Sequence, residues 1–252
     1  MKVVIIGAGN VATHLAKALL AANVQIAQVW SYHYTNAKLL ADQVKATPIE
    51  SLAAIDNNAD IYLISVKDDA IAEIAQQLID FKGVIAHTSG SVNIDVLSGS
   101  ANYGVFYPLQ TFSKDKELNF ATVPLCIEAN NDTTLQFLKK LANKLSSRVV
   151  EIDSEKRKIL HLAAVFACNF TNHFYALAEE VLTAHQLEFD ILRPLITETA
   201  AKVQHALPLT VQTGPAIRND EQTLKKHEEL LLQQPQLLEI YKIVSESIKK
   251  TR

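Results

Sequence analysis

Residues 2–19, Lys-Val-Val-Ile-Ile-Gly-Ala-Gly-Asn-Val-Ala-Thr-His-Leu-Ala-Lys-Ala-Leu, leave this chain few folds to choose from. The apolar run Val3 to Ile6 is rich in β-branched residues and suits a strand buried on both faces of a parallel sheet. Gly7-Ala8-Gly9 follows, and then apolar residues at helical spacing: Val11, Leu15, Ala18 and Leu19. The pattern Gly-x-Gly-x-x-Ala has a mechanical reading. Gly7 allows a tight turn, Gly9 lets the backbone approach a pyrophosphate, and Ala12 is small enough for close helix–strand packing. The helix start adds free N–H groups and a positive dipole end. Glycines also close ordinary turns, but these lie between a strand and a helix, as the mechanism requires.

The alternation of strand and helix continues for about 150 residues. Val24 to Trp30 reads as a second strand, Asn36 to Val44 as a helix and Thr47 to Ile49 as a short third strand. Asp60 to Val66 is a fourth strand, followed by a helix from Asp68 to Leu78; Gly83 to His87 is a fifth. Tyr103 to Phe106 and Val123 to Glu128 are further strands, with a helix from Thr133 to Leu145 and a last strand at Arg148 to Ile152. The expected fold is α/β, a doubly wound, mostly parallel sheet over residues 1–153. From Ser154 no strand signal remains. Helices are expected over 154–185, 188–207, 220–233 and 235–250, making residues 154–252 an all-helical second domain.

Composition narrows the partners. The net charge of −3 gives no pull toward nucleic acid or anionic membrane. The basic tip Lys249-Lys250-Thr251-Arg252 reads as a helix end that favours positive charge. Cys126 and Cys168 lie in apolar runs and read as two buried free thiols of a reduced cytoplasm, and no Cys/His spacing resembles a metal site. The first six residues are too short for a secretory h-region. Ile159 to Ala178 carries no Asp, Glu, Lys or Arg and is long enough to cross a bilayer. Its His161, Asn169, Thr171, Asn172 and His173 would be costly in lipid, so burial between helices or in a homodimer interface is the expected role.

In open α/β sheets ligands bind beyond the carboxyl ends of the strands. After the second strand, NAD-preferring sites place an acidic residue on the ribose hydroxyls. Here Ser31, Tyr32 and His33 follow instead, and no acidic residue comes before Asp42. That favours NADP over NAD, with Ser31 and Tyr32 at the adenosine end. Strand four ends in Ser65-Val66-Lys67, where the backbone is expected to pass the nicotinamide ribose; Lys67 either reaches a phosphate or a carboxylate or is a solvated residue opening the next helix. Strand five ends in His87-Thr88-Ser89-Gly90-Ser91, a small polar turn suited to one wall of the pocket, with His87 structural.

Five stretches together resemble one family: Gly7 to Ala12, His87 to Ser91, Gly104-Val-Phe-Tyr-Pro-Leu-Gln-Thr-Phe-Ser113, Ala164-Val-Phe-Ala-Cys-Asn-Phe-Thr-Asn-His173 and Gln212-Thr-Gly-Pro-Ala-Ile-Arg-Asn-Asp220. The likeness is to Rossmann-like NADP oxidoreductases with a helical second domain of unassigned function, some labelled by analogy with deazaflavin-dependent NADP reductases. More distantly the chain resembles pyrroline-5-carboxylate reductases and the 6-phosphogluconate dehydrogenase-like group. The resemblance implies an active site in the cleft between the domains and a dimer built on the helical one. Val66-Lys67 matches a Val-Lys beside the cofactor in pyrroline-5-carboxylate reductases. One departure stands out: relatives often follow the serine after strand two with an arginine for the 2′-phosphate, and here that position is Tyr32.

The expected activity is hydride transfer between NADP (NAD being the alternative cofactor) and a small polar or anionic carbonyl or imine substrate. The competing reading is a non-catalytic dinucleotide-binding sensor or scaffold. The cofactor set is Gly7, Gly9, Asn10, Val11, Ser31, Tyr32, Val66, Lys67, Thr88 and Ser89. The loop with Thr213, Gly214 and Arg218 is expected to face the substrate, because Arg218 offers a planar fork for a carboxylate or phosphate. Related dehydrogenases place a Lys or His and an Asn on the first long helix of the second domain, which makes His161, Asn169 and Asn172 the catalytic candidates. At ~100° per residue, the two amides fall roughly 80° and 20° from His161, on one side of an uninterrupted helix. Asn169 is then the orienting amide, Asn172 its neighbour and His161 a proton donor.

Overall fold

A computed structural model describes residues Met1–Thr251, and Arg252 of the basic tip lies outside the described residues. The chain divides into two compact units, Met1–Asn169 and Phe170–Arg252.

The first unit is built on an eight-stranded sheet in the order β3-β2-β1-β4-β5-β6-β7-β8. Its strands are β1 (Lys2–Ile6), β2 (Gln25–Trp30), β3 (Thr47–Ile49), β4 (Ile61–Ile64), β5 (Val84–His87), β6 (Tyr103–Pro108), β7 (Leu125–Ala129) and β8 (Val149–Glu151). The helices of this unit are α1 (Asn10–Ala21), α2 (Tyr34–Val44), α3 (Ile71–Gln77), α4 (Asp132–Leu145) and α5 (Ser154–Ala164). The first six strands are parallel, and alternate residues feed two apolar layers. Val3, Ile5, Ile61, Leu63 and Ala86 face α1, α2 and α4, while Val4, Ile6, Tyr62, Ile64 and Ile85 face α3.

The doubly wound expectation holds, with one local reversal: β7 runs antiparallel to β6. A parallel return needs a crossover of helical length. Residues 109–124 contain only a single 3₁₀ turn, Phe120–Thr122, so the chain folds straight back. Helix α4 then supplies a true crossover, and β8 lies parallel to β7.

The 154–185 segment is not one uniform helix. Helix α5 passes into a π-helical segment, Val165–Phe170, and continues as α6 (Thr171–Ala184). A π turn advances less per residue than an α turn. The α-helical phase that sets His161 beside Asn169 and Asn172 therefore does not carry through. Residues 154–169, read from sequence as the start of the helical domain, make their contacts with the sheet unit.

The second unit holds α6, α7 (Arg193–His205), α8 (Glu221–Leu230) and α9 (Pro235–Lys249). Asp220 caps α8 by accepting from the Thr223 N–H at 3.1 Å, and Pro235 opens α9, where its missing N–H costs nothing. His227 Nδ1 and Tyr241 Oη bond at 2.8 Å between α8 and α9. Lys249, at the end of α9, pairs with Glu246 at 2.8 Å and Glu221 at 2.9 Å. Among the described residues no helix is long and apolar enough to cross a membrane.

Candidate functional site

The chain leaves β3 and crosses to β4 on the far side of β1, so the carboxyl ends of β1 and β4 open a crevice. A cavity of about 890 Å³ lies there, spanning the strand ends from β2 to β6. At its floor Gly7 has φ +124°, and its N–H donates to the Trp30 carbonyl at 2.7 Å. A Cβ on Gly7 would run into the Ser65 carbonyl at the end of β4. Gly9 is different: its φ of −78° suits any residue, and a Cβ there would meet nothing within 4 Å. The open space over Gly9 lies at the start of α1, whose first turn has no side-chain cap and no acidic residue. Free amides, a bare glycine and an open cavity fit a pyrophosphate.

All ten residues of the expected cofactor set line this cavity. Their surroundings refine the roles. The side-chain amide of Asn10 donates to the Phe112 carbonyl at 2.8 Å and so ties α1 to the loop after β6. Tyr32 is 86% exposed, and the His33 ring stands edge-on to it at 5.1 Å. Thr88 donates to Ser65 Oγ at 3.1 Å, and Ser91 donates to Asp68, which stitches the turn after β5 to the end of β4.

The β6 edge of the cavity holds His161, one of the three catalytic candidates, and beside it a partner that motif reading missed. Tyr107 Oη and His161 Nδ1 lie 3.0 Å apart. Burial pushes the Tyr107 hydroxyl up to about 12, with the neighbouring Cys126 adding to the shift and Arg157 opposing it. Tyr107 therefore keeps its proton across the physiological range. Gly90 lets the pair form, because a Cβ there would press on His161 Nδ1 at 2.7 Å and Tyr107 Cζ at 2.8 Å.

His161 is delivered by α5, and α5 is anchored by charge. Arg157, one turn before His161, is fully buried and pairs with Glu128 on β7. It also donates to the Val92 carbonyl and, at 3.1 Å, to Ser154 Oγ. Glu128 in turn accepts from the Ser154 N–H at 2.9 Å and its hydroxyl at 2.8 Å. Neither charged residue belongs to a recognisable motif; the nearest sequence signal is a lone acid in an apolar strand.

His87 is the last residue of β5. It is wholly buried, and its Nδ1 accepts from the Ser89 N–H at 3.2 Å. Burial lowers its pKa from 6.5 to about 4; the Arg157 charge adds to this and the Asn93 backbone opposes it. The unfolded chain takes up this proton near pH 6.5, whereas the folded chain resists until pH 4. Unfolding therefore binds a proton in that window, and stability falls as pH drops through it. The expected loss from this residue is about 3 kcal/mol between pH 7 and pH 4. Urea titrations at stepped pH should show the slope, and His87→Gln should flatten it; an equal slope in the variant rules this source out.

The other candidates are not among the residues that line this cavity. Asn169 is exposed in the π-helical segment. Asn172 belongs to the second unit and lines a hollow there with Tyr175, Phe189 and Arg193. Thr213 and Gly214 line an apolar hollow of the second unit, with Phe174, Leu224 and Tyr241 among its walls. Gly214 has φ +113°, which accounts for glycine at that turn. Arg218 is exposed near Asp220, whose carboxyl is held low first by the Thr223 backbone and hydroxyl and then by the Arg218 charge. Cys126 is buried as expected, but Cys168, in the π-helical segment, is only partly so; both thiols are unpaired. No group of three His, Cys, Asp or Glu residues among those described is placed to hold a metal ion.

Residues 2–98 match the family described as NADP oxidoreductase coenzyme F420-dependent, and residues 123–248 match a domain of unknown function, DUF2520. No curated protein matches the chain. A Bacteroides fragilis protein assigned to the NADP oxidoreductases is 47% identical, with 99% of this chain and 98% of that one covered and a TM-score of 0.93. An imine reductase from Myxococcus stipitatus, solved with NADP+, shares the fold at 14% identity and a TM-score of 0.67, covering 99% and 92%. A 1-pyrroline-5-carboxylate reductase from Streptococcus pyogenes does so at 13% and 0.66, covering 99% and 98%. With one family model spanning half of its length and a relative nearly half identical from end to end, the chain belongs to the DUF2520 family of NADP oxidoreductase-like proteins.

Proposed function

We propose that the protein is an NADP-dependent oxidoreductase that transfers a hydride between nicotinamide and a small polar carbonyl or imine compound. The observation that carries this reading is one cavity with a phosphate-ready glycine turn on β1 and a proton-bearing pair, Tyr107 and His161, on its β6 side. A sensor needs only the first of these; the second favours a catalyst. When bound, NADP(H) supplies or accepts the hydride. Gly7, Gly9 and the α1 amides hold its pyrophosphate, and Val66, Thr88 and Ser89 flank its nicotinamide half.

Tyr107 and His161 then handle the proton. A hydroxyl with a pKa of about 12 is a poor donor to water but a good one to a developing alkoxide or amine. His161, on the other side of the same hydrogen bond, restores the proton from solvent. Lys67 is exposed in the cavity wall and supplies positive charge for an anionic substrate. Asn169, Asn172, Thr213, Gly214 and Arg218 remain proposed substrate-side groups. Two unpaired thiols support a cytoplasmic setting.

Thermal unfolding with dinucleotides tests the cofactor. NADPH at a hundred times its dissociation constant should raise the midpoint by roughly 5–10 °C, and NADH at equal concentration by less. Equal stabilisation by NADH removes the preference, and no shift with either removes the cofactor reading.

We also propose a homodimer built on the helical unit. Phe170, Phe174, Ile191, Leu195, Leu209 and Ile243 are all exposed there, more large apolar surface than a lone chain ordinarily leaves in water. Light scattering at micromolar concentration should give twice the chain mass; a monomer alone contradicts the proposal.

A further inference from the structure

We propose that Lys114 is the residue that selects the 2′-phosphate of NADP(H), replacing the arginine that the end of β2 lacks. This rests on the cofactor reading above and concerns one residue that neither the glycine motif nor the β2 sequence reveals.

Two cavities meet at the adenosine side. The large one spans the strand ends, and a smaller one of about 280 Å³ lies between α1 and α2. Ala8, Asn36 and Lys114 line both, so they form the wall between them. Ala8 belongs to the glycine turn and Asn36 to the first turn of α2. Lys114 therefore stands where the ribose of a dinucleotide lying on Gly9 would meet the start of α2.

The receiving end of α2 suits an anion. This helix has eleven residues, no side-chain cap at His33 and no acidic residue in its first turn. The missing positive charge comes from a loop some eighty residues further along the chain. Asn10 donates to the Phe112 carbonyl at 2.8 Å, and His14 Nε2 bonds the Ser113 carbonyl at 2.8 Å. The His14 and Phe112 rings also pack at 5.2 Å. The two residues before Lys114 are thus fastened to α1, the helix that starts at the pyrophosphate turn. Lys114 itself is exposed. Of the charged residues that line the smaller cavity, Lys17, Lys114 and Asp115, Lys114 alone also lines the large one. A flexible ammonium next to free helix amides recognises a phosphate dianion and gives nothing comparable to a ribose hydroxyl.

Titration calorimetry with NADP+ and NAD+ as probes tests this on the full chain. Lys114→Ala should weaken NADP+ about tenfold and NAD+ less than about twofold, the loss expected for one charge-assisted hydrogen bond at a solvated site. Lys114→Arg should stay within about threefold of the parent, and Lys17→Ala should change neither affinity. Equal losses for both cofactors in Lys114→Ala, no loss for either, or a selective loss in Lys17→Ala would overturn the assignment while leaving the cofactor reading in place. If the parent protein binds neither dinucleotide, the cofactor reading falls and the role of Lys114 falls with it.

Discussion

Gly7→Ala should unfold at a markedly lower denaturant concentration than the parent, with a loss of about 3 kcal/mol or more, whereas Gly9→Ala should unfold where the parent does and yet lose its dinucleotide. The two glycines are one residue apart and fail for opposite reasons. At Gly7 the backbone sits at φ +124°, which an alanine adopts only with strain, and the new methyl would drive into the Ser65 carbonyl. That carbonyl is backbone at the end of β4, so relief would have to come from the β1–β4 pairing at the centre of the sheet. At Gly9 the backbone is extended and the space around a Cβ is empty, so the folded chain loses little, within about 0.5 kcal/mol. The empty space is where a pyrophosphate must approach the α1 amides. A methyl there should weaken NADP(H) at least about tenfold. Urea midpoints and calorimetry on both variants separate the outcomes. Full affinity in Gly9→Ala would mean the phosphates pass elsewhere, and parental stability in Gly7→Ala would contradict the packing of β1 on β4.

This contrast also shows why the front of the molecule could be read from sequence and the rest only partly. The strand, the glycine turn and the helix after it are local: each residue's role follows from neighbours a few positions away. The helix and strand pattern of residues 1–153 was legible for the same reason, down to the three residues of β3. Three features were not. The reversal at β7 depends on what residues 109–124 fail to form, and alternation alone does not register a missing crossover helix. The π-helical segment leaves no mark in apolar spacing, so an α-helical projection from His161 to Asn172 used the wrong rotation per residue. Tyr107 meets His161 across 54 residues of chain, and Arg157 meets Glu128 across 29. Such pairs exist only once β6, β7 and α5 are assembled, and a tyrosine in an apolar strand otherwise looks like core.

The Arg157–Glu128 pair gives the second large effect. Arg157→Met should cost about 3 kcal/mol, far more than its one formal salt bridge would suggest from the surface. The arginine is fully buried, so water does not screen its contacts, and three acceptors depend on it: the Glu128 carboxylate, the Val92 carbonyl and Ser154 Oγ. A methionine of similar length fills the space and satisfies none of them. Most of the penalty comes from the carboxylate left behind, which keeps only its two bonds from Ser154. Adding Glu128→Gln should therefore restore at least about 1 kcal/mol to the Arg157→Met protein, because the stranded charge is gone while the Ser154 N–H keeps an acceptor. A simple packing role for Arg157 predicts the opposite, two losses that add. The same substitution removes a positive charge that helps hold down the pKa of His87, so the acid limb of stability in Arg157→Met should become shallower than in the parent. Denaturant unfolding of the two single variants and the double variant, repeated at pH 7 and pH 5, reads all three effects. A loss below about 1 kcal/mol in Arg157→Met would show that α5 is held on the sheet by its apolar contacts alone. The position of His161 beside Tyr107 would then owe nothing to the buried charge one turn before it.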